Sequence, residues 1–137
     1  MSLAQVQIIN LPKILDERGN LSFLEENKHI PFKIQRVYWI YDVPGGEERG
    51  GHSYKENKEF IIALSGSFDV ILNDGKRTKR YSLNRSYYGL YVPQGIWRHM
   101  ENFSTNSLAF IAASIGYDKN DYERDYDHFL SSKINRI

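Results

Sequence analysis

"RGGHSYKENKEFIIALSG", residues 49–66, decides how this chain is read. In an extended backbone alternate side chains share a face, so His52 and Tyr54 point one way and Ser53 the other. The apolar run from Glu59 onward reads as a further strand, closed by a turn at Ser65 and Gly66. The order His52, Tyr54, Glu59 resembles a metal-binding pattern from which one ligand is missing. Whether that substitution abolishes a function or defines one is the question the stretch poses.

Outward from it, strand signals dominate. "QVQIINL", "NLSFLEE", "FKIQRVYWIYD", "SFDVILNDG", "KRTKRYSL", "SYYGLYV" and "LAFIAAS" are short β-branched or aromatic runs separated by turn residues, the rhythm of a sandwich or barrel. "NDG" at 73–75 is the strongest hairpin turn, because Asn, Asp and Gly tolerate positive φ. "DVPGGEERGG" (42–51) is a Pro/Gly-rich loop leading straight into the opening stretch. Only "NDYERDYDHFLSSKI" at the carboxyl end has a helical period. There Asn120 is the expected cap, Asp121 and Glu123 the first turn, and Tyr122, Tyr126, Phe129 and Leu130 one apolar face. The expected fold is all-β, a cupin or jelly-roll β-sandwich with a short C-terminal helix, in one domain over residues 1–137.

Composition excludes several classes. A chain of 137 residues with 41% apolar side chains is the size of one core. Its 18 basic residues nearly cancel 17 acidic ones and are scattered, so no basic stripe for nucleic acid exists. Without cysteine, disulfides and thiolate metal sites are excluded, in keeping with a reducing compartment. No apolar run approaches the roughly 20 residues of a membrane span, and the amino terminus has no signal-peptide pattern. The expectation is a cytoplasmic protein with neither nucleic-acid nor membrane partners.

Metal-binding cupins carry a first motif G-x5-H-x-H-x3-4-E-x6-G, whose spacing His52, Tyr54, Glu59 and Gly66 follow with tyrosine at the second histidine. A second motif, G-x5-P-x-G-x2-H, is approximated by Gly89, Pro93 and Gly95, with Arg98 at its histidine. An arginine cannot deprotonate and sets a positive charge at the fourth corner, so no metal is expected. The adjacent His99 falls on the opposite face by strand parity. What remains is a polar pocket of His52, Tyr54, Glu59 and Arg98, with Tyr91 and Trp97 nearby. Histidine there can act as a general base, tyrosine can donate a proton, and arginine can stabilise an enolate or hold phosphate. On these residues alone, an interior hydrogen-bonded histidine remains the alternative.

The run from Asp16 to Phe60, the hairpin "SGSFDVILNDG", "GLYVPQGIWRHM" and the tail "YDKNDYERDYDHF" together resemble the nucleotide-linked sugar 3,4-ketoisomerases, small cupins acting on dTDP-4-keto-6-deoxyglucose. The similarity spans roughly residues 5 to 133. Arg49, Gly50, His52 and Lys55 match the family loop R-G-x-H-A-H-K, and Tyr54 departs from it. The resemblance implies that His52 takes the C3 proton of the ketosugar and leaves an enediolate, whose reprotonation at C4 moves the carbonyl to C3. It implies no cofactor and no metal, a dTDP-linked ketosugar as ligand, a homodimer in which some relatives exchange amino-terminal strands, and a role on the route to 3-amino-3,6-dideoxy sugars.

By the same resemblance His52 and Tyr54 are the catalytic pair, and Arg36, Tyr38, Arg49, Lys55, Glu59, Tyr91, Trp97 and Arg98 meet the substrate. A phenol with an unperturbed pKa of about 10 is neutral, so it can donate but is a poor base unless its pKa falls. Trp39 and Tyr41 are expected in core or interface packing, Glu123 toward solvent, and Ile115, where many relatives carry aspartate, at the pocket rim or in a turn. Two functions compete: a metal-independent ketoisomerase in which Tyr54 replaces a histidine, and a non-catalytic sugar-nucleotide-binding cupin silenced by that replacement. A metal-dependent cupin oxygenase is a third reading.

Overall fold

The computed structural model describes residues 1–134. Its strands are β1 (Gln7–Asn10), β2 (Lys13–Ile14), β3 (Leu21–Ser22), β4 (Arg36–Tyr41), β5 (Arg49–Tyr54), β6 (Glu59–Ser65), β7 (Phe68–Asn73), β8 (Thr78–Leu83), β9 (Tyr88–Val92), β10 (Trp97–Glu101), β11 (Leu108–Ala113) and β12 (Tyr122–Glu123), followed by helix α1 (Tyr126–Ile134). Two five-stranded antiparallel sheets form, in the orders β1-β9-β6-β11-β4 and β12-β5-β10-β7-β8, with β2 and β3 as a separate hairpin. This is the expected cupin-type sandwich. Sheet-facing residues alternate as a half-buried strand requires: Ile61, Ala63, Leu90, Val92, Ala109 and Ile111 from the first sheet meet Phe68, Val70, Leu72, Leu83 and Met100 from the second.

The outer face of the first sheet is covered as well. Phe60, Ile62, Tyr91 and Ala112 pack beneath Leu11, Ile30 and Phe32 of the amino-terminal segment. For this reason β6 is buried over its first five residues, reading as a continuous apolar run rather than an alternation. The same parity that sends Phe60 outward sends Glu59 inward, between the sheets, where a carboxylate needs a partner.

The "NDG" turn forms as expected. Gly75 takes φ +95, and the Asp74 carboxylate accepts from the amides of Lys76 and Arg77. The tail differs from its reading. Asp118 caps a 3-10 turn at Lys119–Asp121, the chain then extends as β12, and the α-helix starts only at Tyr126, where the Asp125 carboxylate accepts from the amides of Asp127 and His128. Helical propensity lost to tertiary bonds: the Asp121 carboxylate binds backbone amides of another segment, and Tyr122 pairs with Tyr54. Glu123 is accordingly in a strand against His128 rather than facing solvent from a helix. Ile115 sits in the turn after β11, its amide donating to Asn57. Among the described residues no helix is long and apolar enough to cross a membrane.

Candidate active site

One end of the sandwich holds a cavity of about 390 Å³, bounded by β4, β5, Arg98 of β10, and the β12 segment. Strand β5 reaches it through an irregularity. His52 pairs with Arg98, but Arg49 rather than Gly50 pairs with Met100, so one extra residue is accommodated between them. Gly50 takes φ +78, and a Cβ on it would lie 2.7 Å from Nη1 of Arg98. A glycine thus provides both the bend and the room for the guanidinium.

The floor is a buried charge cluster. Arg98 and Glu59 are each 1% exposed, with Nη2 of Arg98 2.6 Å from Oε1 of Glu59. The Tyr38 hydroxyl donates to Oε2 of Glu59 and accepts from Nη2 of Arg98 at 2.8 Å. Burial opposes the Arg98 charge, but the facing Glu59 outweighs it and raises the pKa further. Burial likewise pushes the Tyr38 hydroxyl up. The cluster is a fixed cation whose charge is already balanced on one side, while Nη1 and Nε have no hydrogen-bond partner among the described residues.

His52 lies above this floor, 6% exposed. Its ring meets Tyr54 edge-on at 4.8 Å and Tyr122 at 4.9 Å, and those two rings are 4.7 Å apart. Neither imidazole nitrogen has a hydrogen-bond partner among the described residues. Burial, then the positive charges of Arg98 and Arg124, push the His52 pKa down to about 2. The imidazole is therefore neutral, with a free nitrogen lone pair, across the physiological range. Tyr54 moves oppositely: burial first, then the Glu59 carboxylate, raises its pKa. It keeps its proton, as the sequence reading of a donor requires.

A linkage effect follows. Unfolded His52 takes a proton near its ordinary pKa of 6.5, whereas the native imidazole stays neutral down to about 2. Below pH 6.5 the unfolded state therefore binds more protons, and stability falls with pH by at most about 1.4 kcal/mol per unit from this group. With solvent reaching the cavity mouth, the expected contribution by pH 5 is about 1–2 kcal/mol. Urea unfolding of the wild type and His52→Asn at pH 7.5 and 5 checks it. The wild type should lose that much more stability than the variant; parallel losses would contradict the assignment.

Of the residues picked from sequence, the cavity gathers His52, Tyr54, Arg36, Tyr38, Arg49 and Arg98, with Glu59 beneath them. Three lie outside this cavity. Lys55 is one step out of phase with Tyr54 and is exposed, its ammonium donating to the Asn120 carbonyl. Tyr91, between inward Leu90 and Val92, packs outward against Phe32. Trp97, the outward neighbour of Arg98, packs against Tyr126 and Phe129 of α1. His99 does face away from the cavity, close to Glu101 and Glu48. Trp39 is more exposed than core packing predicts, at 56%, and borders the cavity mouth. Two cavity residues lie outside the sequence-based site: Tyr122, read there as part of a helix face, and Arg124, whose guanidinium is 4.3 Å over the Tyr122 ring. Only the helical reading of the tail hid them; an extended "YER" places both on one face.

Fold and site together define a cupin-type sandwich with a buried imidazole and an arginine-lined cavity. The donor set does not fit a metal, since Glu59 is engaged by Arg98 and Tyr38. The family model described as "FdtA: WxcM-like, C-terminal" matches residues 4–134, and the chain belongs to that family. It is 44% identical over 131 residues to a TDP-4-oxo-6-deoxy-alpha-D-glucose-3,4-oxoisomerase of Aneurinibacillus thermoaerophilus, covering 94% of each chain. It is 45% identical to the TDP-quinovose 3,4-ketoisomerase of Campylobacter jejuni, with a TM-score of 0.89 over 93% of this chain and 98% of that one. A mutant 3,4-ketoisomerase from Thermoanaerobacterium thermosaccharolyticum, solved in complex with TDP-4-keto-6-deoxyglucose, is 34% identical, with a TM-score of 0.95 over 99% of both chains.

Proposed function

We propose that the chain is an isomerase that moves the keto group of a dTDP-4-keto-6-deoxyhexose from C4 to C3, on a route to 3-amino-3,6-dideoxy sugars. The observation that carries this reading is the buried imidazole of His52, its nitrogens without a hydrogen-bond partner among the described residues, beside a buried arginine in the cavity of a ketoisomerase-family fold. His52 takes the C3 proton; the C3–H electron pair becomes the C3=C4 bond, and the carbonyl π pair moves onto O4. Arg98 and the Tyr54 hydroxyl stabilise that charge. The enediolate exchanges its hydroxyl proton from O3 to O4, the O3 pair forms the new carbonyl, and the C3=C4 pair bonds at C4 to the proton held by the His52 imidazolium, exchanged there with solvent, which returns His52 to its neutral form. No electrons leave the sugar, so the residues present suffice for the balance.

Binding an anion beside His52 offsets the charges of Arg98 and Arg124, which raises the imidazole's basicity when it is needed. Arg36, Arg49 and Arg124 at the cavity wall suit a diphosphate, as charge-assisted donors do. Tyr54 supports the competing reading of a silent binding protein; similarity across nearly the whole chain to 3,4-ketoisomerases favours catalysis. Proton NMR of the ketosugar nucleotide in heavy water separates them. Conversion with deuterium entering the sugar is expected, and saturable binding without conversion or exchange would overturn the proposal.

A homodimer is part of the reading. Edge strand β4 presents Val37, Trp39 and Tyr41 outward, and the β2–β3 hairpin exposes Ile14, Leu15 and Leu21. An isolated two-stranded hairpin is marginal in water, and a second copy would cover both apolar rows. Sedimentation equilibrium should give twice the chain mass, falling to the monomer's in Trp39→Glu; a monomeric wild type would refute it.

A further inference from the structure

Tyr122 and Arg124 reach the cavity from a segment with a short ladder. Only Tyr122 opposite Tyr54 and Glu123 opposite Ser53 pair β12 to β5, too little to hold an extended segment by itself. A buried carboxylate supplements it. Asp121 is 6% exposed; Oδ1 and Oδ2 accept from the amides of Glu56 at 2.8 Å and Asn57 at 3.0 Å, and its carbonyl accepts from the Lys55 amide at 2.9 Å. Three successive amides thus point at one residue of the tail. The segment they belong to runs between Tyr54 and Glu59, and its Asn57 is itself buried, with its side-chain carbonyl accepting from the amides of Ser114 and Ile115.

We infer that Asp121 is a positioning residue for the isomerisation: bound to the 56–57 amides, it holds Tyr122 and Arg124 over His52 and so fixes the direction of the imidazole. The inference rests on the ketoisomerase reading. The groups facing His52 are Tyr54 from β5, Arg98 from β10, and Tyr122 and Arg124 from the tail. Removing the Asp121 carboxylate leaves the buried Asn57 amide and the part-buried Glu56 amide without acceptors, and water then enters to satisfy them. The Tyr122 ring lifts, and the imidazole is rehydrated and free to rotate.

The test uses the full chain with Asp121→Ala and Asp121→Asn. The alanine variant should lose at least tenfold in kcat, and the asparagine variant, which keeps one acceptor oxygen, should recover part of that. Ring-nitrogen NMR of histidine-labelled protein, without substrate, reports whether His52 is rehydrated. In the wild type the imidazole should stay neutral through pH 5; in Asp121→Ala its midpoint should rise to within about one unit of 6.5. A general loss of stability would not move that titration. Wild-type-like titration together with kcat within twofold in both variants would overturn the inference. Should the alanine variant not fold, Tyr122→Leu, which keeps the backbone ladder, must give the same rise, and its absence would equally overturn the inference. Because the titration needs no substrate, an inactive wild type would sink the proposed activity while leaving the role of Asp121 to be judged on the NMR alone.

Discussion

His52→Asn should abolish conversion of the ketosugar nucleotide, with kcat reduced about 10³-fold and incorporation of solvent deuterium lost alongside it. General-base catalysis contributes typically 10²–10⁴ in rate, and among the described residues no second imidazole lines the cavity. Tyr54 and Tyr38 are held protonated by burial, Glu59 is engaged by two partners, and the other polar side chains at the cavity are arginines, Tyr122 and Trp39. Asparagine is close to histidine in size, so the aromatic cage of Tyr54 and Tyr122 should close around it. Affinity for TDP should stay within about threefold, because Arg36, Arg49 and Arg124 are untouched. The pair of measurements is an NMR time course in heavy water and calorimetric titration with TDP. A variant that keeps a tenth of wild-type kcat would mean that another group takes the C3 proton.

How legible this site was from sequence depends on where each residue's direction is set. Strand parity puts His52 with Tyr54 and Arg36 with Tyr38 on shared faces, motif spacing adds Arg98, and the cavity gathers all five. Applied consistently, parity would also have excluded Trp97, which directly precedes Arg98, and Tyr91, which lies between Leu90 and Val92. Both were chosen for closeness in sequence to the motif. The tail was misread for a different reason. "NDYERDYDHF" has capping residues and a helical period, and only a partner distant in sequence, the amides of residues 56 and 57, shows that Asp121 serves as an anchor rather than as part of a helix. Local pattern cannot encode that contact. The irregularity at Gly50 is similarly tertiary: "RGG" declares backbone freedom, while the guanidinium that requires it comes from residue 98.

Glu59→Leu should cost about 3–5 kcal/mol of stability, the largest such effect of any change in the cavity. The buried Arg98 would lose the carboxylate that faces it and keep its charge, and an uncompensated buried charge is penalised on that scale. At roughly 3–4 °C per kcal/mol for a domain of this size, the thermal midpoint should fall by about 10 °C or more. The pair itself need not be stabilising, since desolvating two charges offsets most of their attraction. The double variant Glu59→Leu with Arg98→Met should therefore recover most of the lost stability, with Tyr38 left to find a new partner for its hydroxyl. It should not recover activity, because the proposed isomerisation needs the Arg98 cation next to the developing enediolate. Calorimetric unfolding of the two singles and the double, with turnover measured on the same samples, separates these effects. Losses that simply add in the double variant would show that Glu59 and Arg98 are not coupled. A double variant that folds well but is inactive would place the buried pair in the chemistry rather than in the scaffold.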